Sequence, residues 1–130
     1  VNVLLLDESK SIYLQIAELI ENDILNDSIE ENGQVPSTNQ FAKILQINPA
    51  TAAKGINLLV DEGILFKKRG VGMFVSEGAK NMVLAKRRKQ FAEIELPRLI
   101  HEAQAVHISK DELIQMIHNL KEGNRDDYTV

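Results

Sequence analysis

The chain has 130 residues, 44% of them hydrophobic and none of them cysteine, with a formal net charge of −4. That length carries one real core with a small appendage rather than two large domains. The missing thiols exclude a disulfide framework and a thiolate metal site. No apolar run reaches the roughly 18 residues of a membrane span. The opening Val1 to Leu6 gives way too soon to Asp7 and Glu8 to act as a signal peptide, so a cytoplasmic protein is the expectation. The charge is uneven: residues 1 to 79 hold six Lys and Arg against eleven Asp and Glu, and residues 80 to 130 hold nine against eight. An acidic first part argues mildly against nucleic acid. Total charge governs solubility and steering, however, and the field at one contact face can differ from it. Any DNA binding is therefore expected to show modest non-specific affinity and a shallow salt dependence, because few phosphates are neutralised.

In chain order, Ser11 to Asn26 reads as an amphipathic helix with a wide apolar stripe formed by Ile12, Tyr13, Ile16, Ala17, Leu19, Ile20 and Ile24. Tyr13 on that stripe reads as a packing aromatic rather than a functional phenol. Asn26 to Gln34 is polar and reads as a loop ending in an Asn32-Gly33 turn. Ser37 with Gln40 three residues on forms a capping box, and Phe41, Ile44 and Leu45 give the following short helix an apolar face. A second helix opens with Asn48 as N-cap and Pro49 at its first position, where a missing N–H costs nothing, and closes at Gly63. On a helical wheel Ala52, Ile56, Leu59 and Val60 fall together, opposite Ala50, Ala53, Lys54, Asn57 and Asp61. Only Gln46 and Ile47 separate the two helices, so the pair must cross steeply, as in a helix-turn-helix. Ile64 to Lys68 and Met73 to Val75 then flank Arg69-Gly70-Val71-Gly72, a hairpin signal, and Lys67, Lys68 and Arg69 are the only cluster of positive charge in the first 79 residues. A basic wing tip that meets a phosphate backbone accounts for both features.

Ser76 to Ala79 is the one boundary, dividing residues 1–78 from residues 79–130. From Lys80 a helical pattern runs to about Val106, interrupted by Pro97, which predicts a kink near Glu93 to Leu96 or two abutting helices. Ser109 with Glu112 opens a last helix carrying Leu113, Ile114, Ile117 and Leu120, with Gly123 as its stop and Asn124 to Val130 frayed. A tail of about 50 residues has too little core to stand alone, so its apolar faces call for a second copy in a two-fold homodimer. The run Lys86-Arg87-Arg88-Lys89 favours a solvated helix face over contact with DNA phosphates, because consecutive helical residues spread around the axis. The fold class is mainly α with a small β-hairpin wing (α+β): a winged helix-turn-helix followed by a short two-helix tail.

Chemistry beyond binding is not indicated. His101, His107 and His118 lack the spacing of a helical metal pair, and His118 with Glu122 reads as a surface pair, so no metal is expected. There is no nucleophile elbow and no phosphate-cradling loop, and Gly70-Val71-Gly72 lacks the third glycine and following helix of a dinucleotide site. The reading is a non-enzyme with no cofactor and no membrane partner.

The blocks VPSTNQFAKIL, INPAT, LVDEGIL and RGVGMFV keep the order and spacing found in the N-terminal domain of GntR-type bacterial transcription factors, and the chain resembles that family from about Ser11 to Ser76. Asn-Pro before the second helix and a short all-helical tail resemble its YtrA subgroup. The resemblance implies that the first helix packs on the helix-turn-helix, and that the tail dimerises rather than holding an effector. It differs in having Asn39, Pro49 and Ala53 where the family commonly carries arginine, and Gln46 where it has glycine. Arginine on guanine is the commonest specific base contact, so the usual readout is altered here. If that turn still needs a left-handed residue, Gln46 is mildly strained. The candidate DNA-binding residues are Ser37, Thr38 and Asn39 for a phosphate at a helix N-terminus. On the second helix they are Pro49, Ala50, Thr51, Ala53, Lys54 and Asn57, with Thr51 and Lys54 facing a groove and Ala50 and Ala53 suited to a thymine methyl. At the wing they are Lys68, Arg69, Gly70 and Gly72. The expected function is a sequence-specific transcriptional regulator, a repressor, bound as a homodimer to a two-fold operator. The runner-up is a winged-helix protein-interaction module, and a small effector between the tail helices is a third option that no residue pattern indicates.

Overall fold

Helix α1, Ile12–Leu25, buries Ile16, Ala17, Ile20 and Ile24, the inner half of the stripe read from the sequence. The computed structural model describes residues 10–121. Helix α2, Thr38–Leu45, begins with the full Ser37/Gln40 capping box: Ser37 N–H donates to Gln40 Oε1 at 2.7 Å and Gln40 N–H to Ser37 Oγ at 3.2 Å. Gln46 ends it in the left-handed region at φ 54 and ψ 50, the conformation that lets Ile47 N–H reach back to Ala42 O at 3.0 Å and turn the chain sharply. Helix α3, Pro49–Asp61, starts on Asn48, whose Oδ1 accepts from Ala50 N–H at 2.8 Å. It stops in a Schellman arrangement: Gly63 at φ 79 donates to Val60 O, and Ile64 donates to Leu59 O, both at 2.9 Å.

The hairpin strands are β2, Leu65–Lys68, and β3, Gly72–Val75, paired antiparallel with Phe66 opposite Phe74. A third strand, β1, Gln34–Val35, joins the other edge of β3 with Gln34 opposite Phe74. The wing is therefore a three-stranded sheet in the order β1-β3-β2, where the sequence predicted a two-stranded hairpin with Gln34 in a loop. Two residues offer no alternation to read, and β1 exists only because β3 supplies its partners. Val35, Leu65 and Val75 on the inner face close the core formed by Ile16, Ile20, Phe41, Ile56 and Leu59.

Helix α4 spans Ala79–Gln90 and buries Ala79 and Val83 in the same core. Five residues of wider π-helical turn, Phe91–Glu95, follow, and then helix α5, Leu96–Ala105. The interruption expected from Pro97, as a kink or as two abutting helices, thus takes a specific form. Leu96 N–H reaches back five residues to Phe91 O, and the widened turn makes room for the proline ring against the preceding backbone. Helix α6, Lys110–Asn119, is capped by Ser109 Oγ, which accepts from Glu112 N–H at 3.1 Å. Gly123 and Asn124 to Val130 lie outside the described residues. The chain divides into two compact units, residues 1–87 and residues 88–130, so most of α4 belongs with the first. In the second unit α5 packs on α6, yet Ala103 is its only buried hydrophobic among the described residues. No helix among the described residues is long and apolar enough to cross a membrane.

Candidate nucleic-acid interface

The face of α3 turned from the core carries the residues singled out from the sequence. Pro49, Ala50, Lys54 and Asn57 are exposed and Thr51 and Ala53 half-buried, while Ala52, Gly55, Ile56 and Leu59 are buried. Gly55 sets how closely that helix lies on α1. A Cβ built there would stand 2.6 Å from the Tyr13 carbonyl oxygen and 3.0 Å from Ile16 Cβ. Lys54 does not extend freely from the helix: its Nζ sits 4.0 Å above the centre of the Tyr13 ring. The sequence reading of Tyr13 as a packing aromatic misses this contact, since it joins residues on different helices.

A second surface lies between the start of α2 and the wing. Ser37, Thr38, Asn39 and Gln40 line one side of an open cleft of about 300 Å³, and Lys67, Val71, Gly72 and Met73 line the other. Ser37 Oγ is committed to its cap, which leaves the Thr38 and Asn39 N–H groups as first-turn donors without an intrahelical acceptor. That is the usual chemistry of an anion seat. Gln34, missed from the sequence, braces the wing: its Nε2 donates to Val71 O at 3.2 Å. Gly70 and Gly72 turn the tip at φ 78 and φ 142, which only glycine adopts without strain. Arg69 and Gly70 stand exposed between the strands. Phe66 and Phe74 stack across the sheet with ring centres 5.8 Å apart, and Lys68 Nζ lies 4.7 Å above Phe74. The three polar groups of Lys54, Lys68 and Arg69 are thus presented from one compact unit.

The basic run on α4 behaves otherwise. Glu21, with a side chain only 2% exposed, splits its oxygens between Lys86 at 2.8 Å and Arg87 at 3.1 Å, and Lys86 also meets Glu62 at 2.8 Å. The Lys86 contact with Glu21 Oε2 is an ion pair. Arg87 donates as well to the Glu18 carbonyl and the Asn22 side chain. The expectation of a solvated face is corrected for these two residues and holds for Arg88 and Lys89, which are exposed. Partners 65 residues away in the chain decide which positions of a charge run turn inward. Burial by itself lowers the Lys86 pKa, but Glu21 and Glu62 together outweigh it and leave the value raised above 10.5.

Glu21→Ala takes the buried carboxylate from Lys86 and Arg87, and the full cost of breaking a buried pair is discounted here because both cations remain partly exposed, Lys86 keeping Glu62 and Arg87 the Glu18 carbonyl and Asn22 side chain. A loss of about 2–3 kcal/mol is expected in urea unfolding. The Lys86 share is fully present below pH 10.5 and fades as pH rises through its higher folded value, so the gap between the two proteins should narrow in strong alkali. An unchanged midpoint at pH 7 would show that the network contributes nothing.

The bacterial gntR-family regulatory model matches residues 12–75, the span that holds both surfaces. The HTH-type transcriptional repressor YtrA of Bacillus subtilis is 28% identical over 123 residues, covering 92% of this chain and 94% of that one. A GntR-family transcriptional regulator structure from Bacteroides thetaiotaomicron superposes with a TM-score of 0.67 at 34% identity, over 82% of this chain and 93% of its own. YtrA from Sulfolobus acidocaldarius, a GntR-family transcription factor, does so with a TM-score of 0.51 at 25% identity, over 91% of this chain and 93% of its own. With four ordered motifs, the crossed α2–α3 pair, the glycine-turned wing and relatives matched over nearly their whole length, the chain belongs to the GntR family as a YtrA-like DNA-binding transcriptional regulator.

Proposed function

We propose that the protein is a cytoplasmic repressor that binds a two-fold related operator as a homodimer, with residues 1–78 as the DNA-binding domain and 79–130 as the dimerisation tail. One observation supports the reading above others: α3 buries one edge in the core and leaves Ala50, Lys54 and Asn57 open on the same compact unit as the wing tip. In this reading Pro49 to Asn57 enters the major groove, with Thr51, Lys54 and Asn57 as its polar members facing base edges and Ala50 and Ala53 meeting thymine methyls. Thr38 and Asn39 N–H groups hold a phosphate beside the capping Ser37. Lys68, Arg69, Gly70 and Gly72 carry the wing onto the backbone or minor groove. Dimerisation is supported by the apolar surface left open on the second unit, where Phe91, Val106 and Leu120 are each more than 60% exposed.

Salt titration of the intact protein on labelled duplex is the test. Affinity should fall with salt along a negative log–log slope of about −0.9 for each phosphate met. Absence of duplex retention at low salt would instead place the protein among interaction modules.

A further inference from the structure

Lys54 is the one cation on the outward face of α3, and its ammonium is already occupied. It stands 4.0 Å above the Tyr13 ring, on the neighbouring helix α1, and the two side chains border the same open depression as Ala50, Ala53, Asn57 and Asp61. From the Tyr13 seat and Lys54's place on the exposed face of the groove-entering helix we infer that Tyr13 is a positioning residue for DNA binding: it draws the Lys54 ammonium off the base-reading face of α3 and holds it at the flank as a phosphate clamp. The inference rests on the DNA-binding reading above and refines it, because it removes Lys54 from the set of base readers.

A lysine carries four rotatable bonds, and fixing them on contact opposes binding; a seat in the free protein removes part of that cost beforehand. An ammonium has three N–H donors, so the ring face occupies one side and leaves others for phosphate oxygens. A charge held toward α1 lies beside α3 rather than beyond it, and a helix in the major groove meets base edges along its axis and phosphates along its flanks. Tyr13 therefore decides which kind of contact Lys54 makes. Thr51 and Asn57 are left to read sequence.

The experiment uses the full chain as wild type, Tyr13→Phe, Tyr13→Leu, Lys54→Ala and the Tyr13→Leu/Lys54→Ala double variant. The probes are a duplex selected from a random pool and a scrambled counterpart. Tyr13→Leu should weaken binding to both duplexes by about two- to fivefold, the usual size of an exposed cation–π contact, and Tyr13→Phe should bind as wild type because the ring is kept. Lys54→Ala should weaken both duplexes alike and make the salt slope shallower by about 1. In its background Tyr13→Leu should change nothing further. In the free protein, the Lys54 ε-methylene proton resonance should lie upfield through the ring current, keep that position in Tyr13→Phe and lose it in Tyr13→Leu. Tyr13→Phe as defective as Tyr13→Leu, a Tyr13→Leu loss that persists without Lys54, or Lys54→Ala altering the selected-to-scrambled ratio would each overturn the inference. Wild type that holds neither duplex is a different result, and it sinks the DNA reading along with its refinement.

Discussion

Gly55→Ala is expected to destabilise the first compact unit by about 1–2 kcal/mol and to depress DNA binding with it. Two effects oppose each other. Alanine in a helix interior is favoured over glycine by about 1 kcal/mol. Against that, the new Cβ meets the Tyr13 carbonyl oxygen at 2.6 Å and Ile16 Cβ at 3.0 Å, and neither atom is the free end of a flexible side chain. Overpacking of this kind costs about 1–3 kcal/mol, occasionally more, because α1 and α3 must move apart as rigid elements. The clash wins on these magnitudes. Parting the helices also shifts the Tyr13 ring relative to Lys54, so affinity should fall by more than unfolding alone explains. Urea unfolding with a duplex titration checks both, and a rise in midpoint of the size helix propensity alone would give contradicts the close packing.

The largest functional effect is expected from the tail. Leu99 and Ile117 are 44% and 57% exposed, and Leu99 lines an apolar groove between α5 and α6 with Ala103, Val106, Ile108, Leu113 and Met116. Leu99→Asp with Ile117→Asp places two charges on that surface. Each charge would have to be desolvated in a dimer, so sedimentation should show conversion from dimer to monomer. Affinity for a two-half-site operator should then drop by about 10²–10⁴, the advantage lost when the second half-site is no longer tethered. Helical content of the first unit should not change. A double variant that stays dimeric, or a wild type that sediments as monomer, removes the tail from the assembly.

These expectations rest on features the sequence exposes to unequal degrees. The helix-turn-helix is legible because its signals are local: Ser37 and Gln40 lie one turn apart, Asn48 and Pro49 are adjacent, and Gly63 stands two residues past the helix it ends. The left-handed conformation at Gln46 is legible only through the family resemblance, which carries glycine at that position. What is missed depends on partners distant in sequence. Strand β1 is defined by β3, forty residues on, and Gln34 earns its role only against Val71. Lys86 and Arg87 look like their neighbours Arg88 and Lys89 until Glu21 is placed beneath them. Tyr13 and Lys54 each have a satisfactory local reading, as an aromatic on an apolar stripe and a lysine on a polar one. Their contact exists because Gly55 lets the helices meet. Pro97 announces a disturbance in the long tail helix, but its resolution into a π turn over Phe91–Glu95 depends on how the backbone absorbs one extra residue.

Selection of bound duplexes from a random pool by the intact protein bears on both halves of the proposal at once. Groove entry by α3 in a two-fold dimer requires an enriched motif repeated as an inverted pair, with half-sites centred one or more helical turns of about 10 base pairs apart. Substituting Thr51 or Asn57 should relax selected positions within each half. A pool that emerges with no enriched sequence, or with a single unrepeated half-site, contradicts the dimeric operator reading.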